Sequence, residues 1–123
     1  MKLRALLNEN IQNWANQIEL KYNLKIFMLS EFNDKIKLAS IIINKEDRGK
    51  GIGSKVMEEL CDYADRNNKI ITLTPAIKDD YQGTTSQSRL IEFYKRFGFV
   101  LNKGRNKDFT ISELMYTKPN LLS

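Results

Sequence analysis

The stretch Arg48-Gly49-Lys50-Gly51-Ile52-Gly53-Ser54 sets glycines at alternate positions directly ahead of a segment in which Ile52, Val56, Met57, Leu60 and Ala64 recur at helical spacing. Glycines at the start of a helix let backbone N–H groups approach a ligand closely, and the helix dipole adds partial positive charge, so the arrangement suits a phosphate. The spacing is neither the G-x-x-x-x-G-K-[ST] of a nucleoside triphosphate loop nor the G-x-G-x-x-G of a dinucleotide fold. Taken alone, the same glycines also suit an ordinary helix-capping turn, so the flanking chain has to arbitrate.

Upstream, Lys35 to Ile43 reads as a strand whose Ile41-Ile42-Ile43 end lacks alternation, implying burial on both faces or a bulge. Lys25 to Glu31 precedes it as a second strand, joined through Phe32-Asn33-Asp34 as a hairpin. Before these, Leu3, Leu7, Ile11, Trp14, Ile18 and Tyr22 fall on one helical face. Downstream, Ile70 to Thr74 reads as a strand stopped by Pro75; a strand, helix, strand crossover is normally right-handed and parallel, so it should lie beside Lys35 to Ile43, which becomes a central strand. Lys78 to Ser88 is a polar loop, Arg89 to Phe97 a short helix closed by Gly98, and Phe99 to Leu101 and Phe109 to Thr117 are strands around an Asn102 to Asp108 turn. No internal repeat or linker interrupts the pattern, so residues 1–123 are read as one α/β (α+β) domain with a mixed central sheet flanked by helices.

Composition narrows the function. The chain of 123 residues is 41% apolar and 28% charged, which excludes a disordered or collagen-like chain. Lys plus Arg number 20 against 15 Asp plus Glu, a net charge of +5 that suits phosphates or acidic partners but is too modest and too dispersed for a dedicated nucleic-acid binder. No run reaches transmembrane length, and the single Cys61 cannot form an internal disulfide, so a cytoplasmic setting is expected. The absence of histidine excludes a Ser-His-Asp or Cys-His nucleophile and a His-ligated zinc; no metal site is expected.

With these parts in order, the sequence resembles the GNAT superfamily of acyl-CoA-dependent N-acetyltransferases. Its signature of Gln or Arg, two residues, Gly, one residue, and Gly or Ala is met by Arg48-Gly49-Lys50-Gly51-Ile52-Gly53, and its later aromatic-Tyr…Gly-Phe motif by Phe93-Tyr94-Lys95-Arg96-Phe97-Gly98-Phe99. Glu113-Leu114-Met115-Tyr116 is similar to the family's last strand, and the resemblance spans roughly Lys35 to Pro119. It implies a sheet with splayed parallel strands and acetyl-CoA as co-substrate. The backbone of Ile41, Ile42 and Ile43 would bond the pantetheine arm, and the amides of Arg48, Gly49, Lys50, Gly51, Ile52, Gly53 and Ser54 would hold the pyrophosphate, with Lys45, Lys50 and Lys55 nearby. Tyr94 would be the general acid for the departing thiolate. Gln87 and Leu90 depart from the family's usual Asn and Ala ahead of that tyrosine, with Ser86 or Ser88 as alternative phosphate contacts.

A general base does not stand out among Glu31, Asp79, Asp80 and Glu113, or a water route through Ser40 or Thr74. Cys61 falls on the buried-looking side of its helix, which favours direct attack in a ternary complex over a covalent route. The chain is short for the family, so the acceptor pocket is expected to be shallow, completed by the Lys78 to Ser88 loop, or built with a second subunit in a homodimer. The resemblance implies an amine acceptor, on a protein, peptide or small molecule, and leaves its identity open. Two alternatives compete: a module that binds acyl-CoA without turnover, and an interaction protein using Lys95, Arg96, Lys103, Arg105 and Lys107 as a patch.

Overall fold

The structure, a computed structural model, describes residues 11–75 and 87–119. Helix α1 (Ile11–Lys21) buries Ile11, Ala15 and Ile18, the stripe the spacing predicts; the earlier members Leu3 and Leu7 lie outside the described residues. Strand β1 (Leu24–Phe32) follows a turn in which Asn23 takes a left-handed backbone, φ 53°. A tight link with Asn33 at φ 56° returns the chain as β2 (Lys35–Ile43), antiparallel to β1. After a 3-10 turn at Lys45–Asp47 and the glycine loop, α2 (Ile52–Arg66) buries Val56, Met57, Leu60 and Ala64. Trp14 of α1 stacks on Tyr63 of α2 with ring centroids 4.5 Å apart and reaches Phe27 of β1 at 6.3 Å, so both helices cover the same face of the sheet. Glu59 of α2 accepts hydrogen bonds from Tyr22 Oη and from Lys21 Nζ, the latter at 2.8 Å, which ties the end of α1 to α2.

Strand β3 (Ile70–Leu73), helix α3 (Gln87–Lys95) and the short strands β4 (Val100–Leu101) and β5 (Met115–Thr117) complete a sheet of order β1-β2-β3-β5-β4. Among the described strands only β2 and β3 are parallel, as the crossover rule requires. β2 is an interior strand, although β3 takes the middle place. The core between sheet and helices is filled by Phe27, Ile36, Met57, Leu60, Ile71 and Met115, each 1% exposed or less.

Two features depart from expectation. The bulge in β2 falls at Ala39, two residues before the predicted run: Met28 pairs with Ser40 but Leu29 with Leu38, leaving Ala39 as the extra residue, while at the run itself Leu24↔Ile43 and Ile26↔Ile42 mark a second register shift in which Lys25 of β1 is the extra residue. Ile41, Ile42 and Ile43 are half-buried rather than enclosed on both faces. The strand expected over Phe109 to Thr117 shrinks to Met115–Thr117, because the buried side chain of Asn102 captures the preceding segment. Its Nδ2 donates to the carbonyls of Ile111 (2.9 Å) and Glu113 (3.1 Å), and its Oδ1 accepts the Asp108 N–H (2.7 Å). Those backbone groups then have partners inside a loop and no ladder forms.

Candidate functional site

The parallel pairing of β2 with β3 runs from Lys35↔Ile70 to Leu38↔Leu73 and stops there. Pro75 ends the β3 side, while β2 continues through the bulge to Ile43 with no parallel neighbour. The two strands therefore part, and the gap is a cleft of about 670 Å³ lined by both strands, by the start of α2 and by α3. One wall is a strand edge. Among the described residues, the backbone groups of Ala39 to Ile43 facing it have no ladder partner on that side, and apart from the Ile43 carbonyl, which Arg48 holds, they are open to an extended ligand.

The floor is the glycine loop. Gly49 and Gly51 hold φ of 82° and 77°, left-handed values that L side chains take only at a cost, and a Cβ built on either meets nothing within 4 Å. The glycines are thus required by backbone shape, and the space beside them is open. Gly51 caps α2 with no side-chain cap, so the first amides of a fifteen-residue helix point out of its N-terminus. Gly53 differs: a Cβ there would lie 3.4 Å from Ile43 Cδ1 and 3.6 Å from Phe93 Cζ, so its role is close approach of α2 to β2 and α3.

Of the predicted site residues, Ile41, Ile42, Ile43, Arg48, Gly51, Gly53, Ser54 and Tyr94 all line this one cleft. Gly49, Lys50 and Ile52 do not; Lys50 Nζ pairs with Asp47 at 3.3 Å and Ile52 packs against the core. Lys45 and Lys55 are exposed and outside the lining. Arg48 Nε donates to the Ile43 carbonyl at 3.4 Å, joining loop to strand end. Tyr94 is buried, edge-on to Phe93 (5.2 Å) and Phe99 (5.7 Å), and this burial pushes its phenol up to about 12, so it holds its proton throughout the physiological range. Gln87, one of the departures noted above, donates to the Pro75 carbonyl at 3.2 Å and pins the start of α3 to the end of β3.

Arg89 and Arg96 were not legible as cleft residues, yet both line it, with Arg96 set 5.3 Å over the Phe93 ring. Their signal was present: positions 89, 93 and 96 share a helical face. Arg48, Arg89 and Arg96 give the cleft a cationic rim, and no carboxylate lines it among the described residues. Glu31 lies opposite Ile36, away from the cleft, and pairs with Lys69 at 2.8 Å. Burial works to raise the pKa of Glu113, but hydrogen bonds from Ser112 and Thr72 and the nearby Lys37 outweigh it and hold the carboxyl below its ordinary value. Asp79, Asp80 and Ser86 lie outside the described residues. Ser40 and Thr74 both line the cleft, and Thr74 Oγ1 accepts the Leu114 N–H at 3.1 Å.

Cys61, expected in the core, is half-buried beside a separate cavity of about 240 Å³ with Asp65, Lys69 and Phe97. Burial first, then Asp65 and Asp62, push its thiol up to about 11, the opposite of an activated nucleophile. Among the described residues no group of His, Cys, Asp and Glu could hold a metal ion, and no helix is long and apolar enough to cross a membrane.

A parallel pair that parts around a bulged strand, with a glycine loop and a helix N-terminus beneath, is the architecture of the GNAT fold. Residues 5–101 match the family model described as an acetyltransferase (GNAT) domain, and the chain belongs to that family. Among solved structures it is similar to the anti-CRISPR protein AcrVA5, at 26% identity and a TM-score of 0.55 over 73% of this chain and 85% of that one. A protein from Bacteroides thetaiotaomicron assigned to the GNAT acetyltransferases is 22% identical over 73% of this chain and 50% of its own, with a TM-score of 0.49. No curated protein matches the sequence.

Proposed function

We propose that this protein transfers an acetyl group from acetyl-CoA to an amine by direct attack in a ternary complex. The observation that carries the reading is the meeting, in one cleft, of an unpaired strand edge, an open helix N-terminus and a buried protonated tyrosine. The donor set suits the ligand: the cleft-lining residues Gly51, Gly53 and Ser54 at the start of the helix, with Arg48, Arg89 and Arg96 around them, match phosphate charge, and the Ala39–Ile43 edge matches an amide-bearing pantetheine arm. Acetyl-CoA supplies the activated thioester. The strand amides orient the thioester and stabilise charge on its oxygen.

Tyr94 donates a hydrogen bond to the leaving sulfur. Burial keeps the Tyr94 phenol protonated, so its hydroxyl is available to stabilise the developing charge on sulfur and, as general acid, to protonate the departing thiolate. With no carboxylate in the cleft among the described residues, the amine's proton leaves to water by way of Ser40 or Thr74. Such a mechanism requires the neutral amine and runs faster as pH rises toward the amine pKa, about 10.4 for a lysine.

We take the acceptor to be an amine on a protein, since the net charge of +5 disfavours a cationic small molecule and a solved neighbour is an anti-CRISPR protein, a description that suits a macromolecular target. A cytoplasmic setting suits the lone Cys61. The missing carboxylate favours one second reading, a module that binds acyl-CoA without turnover. Release of free CoA thiol in the presence of lysine peptides and protein acceptors separates the two: release above the acceptor-free rate supports transfer, and binding without release supports the module.

A further inference from the structure

Strand β1 is the outer edge of the sheet, and its exposed face carries two large apolar side chains, Met28 (53% exposed) and Phe32 (75% exposed). An unprotected edge with apolar neighbours is a template for another strand. The edge is free over only part of its length, and that selects a register. The N–H of Phe27 donates to Glu19 Oε2 of α1 at 3.0 Å, so it points away from β2 and is already occupied. Alternate residues of a strand point their backbone groups the same way, so Leu29 and Glu31 also face outward, and among the described residues no helix side chain bonds to them.

We propose that two copies of this chain pair antiparallel through β1, about a two-fold axis at Ser30. In that register Leu29 of each copy exchanges hydrogen bonds with Glu31 of the other, using the outward groups that Glu19 leaves available. Met28 of one copy then stands opposite Phe32 of the other, twice over. These are non-hydrogen-bonded pairs, in which Cα atoms lie about 4.5 Å apart and side chains are closest, so both exposed apolar residues are covered by each other. A register centred on Met28 would instead need the Phe27 N–H that Glu19 holds. Burying Met28 and Phe32 in both copies removes roughly 500 Å² of apolar surface, and the whole contact stays below the ~1,200 Å² of a standard interface, so the dimer is reversible and micromolar. The cleft lies on the far edge of β2, between β2 and β3, and stays open in both copies.

The register is tested by cross-linking the full chain in a Cys61→Ser background under mild oxidation. Ser30→Cys places two thiols on residues about 4.5 Å apart at Cα, within the range a disulfide spans, and is expected to give a covalent dimer. Met28→Cys leaves its two copies roughly 13 Å apart and is expected to stay monomeric on a non-reducing gel. Sedimentation velocity of the natural chain from about 5 to about 500 µM, the range for an interface this small, should show reversible dimer, weakened at least about tenfold by Phe32→Lys. A natural chain monomeric throughout that range, cross-linking of Met28→Cys in place of Ser30→Cys, or self-association untouched by Phe32→Lys would overturn the proposal. Acetyl-CoA titration of the Ser30→Cys dimer reads the cleft separately, so failure of the dimer and failure of the enzymatic reading are distinguishable.

Discussion

Replacing Tyr94 with Phe removes one hydroxyl from a buried aromatic cluster and leaves the ring contacts with Phe93 and Phe99 in place. A hydrogen bond to a charged acceptor is worth about 1.5–3 kcal/mol, so if that hydroxyl stabilises the developing thiolate, kcat should fall by roughly 10- to 150-fold. The KM for acetyl-CoA should barely move, because the bond strengthens only as the sulfur leaves. The pH profile adds a second reading. An ordinary tyrosine would lose its proton near 10.0 and impose a falling limb there, whereas Tyr94, pushed up to about 12 by burial, keeps its proton. Activity of the natural chain should therefore rise with pH and level off near the amine pKa without falling by pH 10.5. The assay is thiol detection of released CoA against pH for both proteins, using an acceptor found by peptide screening. Full kcat in Tyr94→Phe, or a falling limb near pH 10 that the substitution abolishes, would refute the assigned role.

Stability should fall at alkaline pH. The folded-state pKa values of Tyr94 and Cys61 are raised to about 12 and about 11 from ordinary values of 10.0 and 9.0. Each group binds its proton more tightly when folded, so the stability is fully present below pH 9 and is lost as pH rises through the folded values, by about 2–3 kcal/mol for Tyr94; urea titrations between pH 8 and 11.5 read it, and Tyr94→Phe should flatten the decline. Asn102→Ala leaves the Ile111 and Glu113 carbonyls and the Asp108 N–H without their partner and should cost about 2–4 kcal/mol, lowering Tm by about 10 °C; an unchanged Tm would show that water replaces the amide at no cost. Gly51→Ala, with φ at 77°, should destabilise by about 1–2 kcal/mol from backbone strain, while Gly53→Ala should fit with small shifts; equal losses in thermal melts would contradict that distinction.

The glycine loop, the helix it starts and the strand before it were legible because glycine placement and apolar spacing are local signals. The splay was less so: it depends on Pro75 ending one strand while the other continues, and on a bulge at Ala39 that a run of isoleucines only hints at. The segment Phe109 to Leu114 looks extended in sequence, and only Asn102, three-fold bonded from across the loop, shows why it makes no ladder. Arg89 and Arg96 entered the site through the rotation of α3, which spacing could have indicated but charge alone could not.

The central claim is that this cleft binds acetyl-CoA, and calorimetric titration tests it most directly. The natural chain should bind at micromolar affinity, about 8 kcal/mol. Gly51→Trp should lose that binding by filling the space beside the helix N-terminus, while Gly51→Ala, with the same backbone strain and little bulk, should largely keep it. No heat from the natural chain, or binding that survives in Gly51→Trp, would contradict the account.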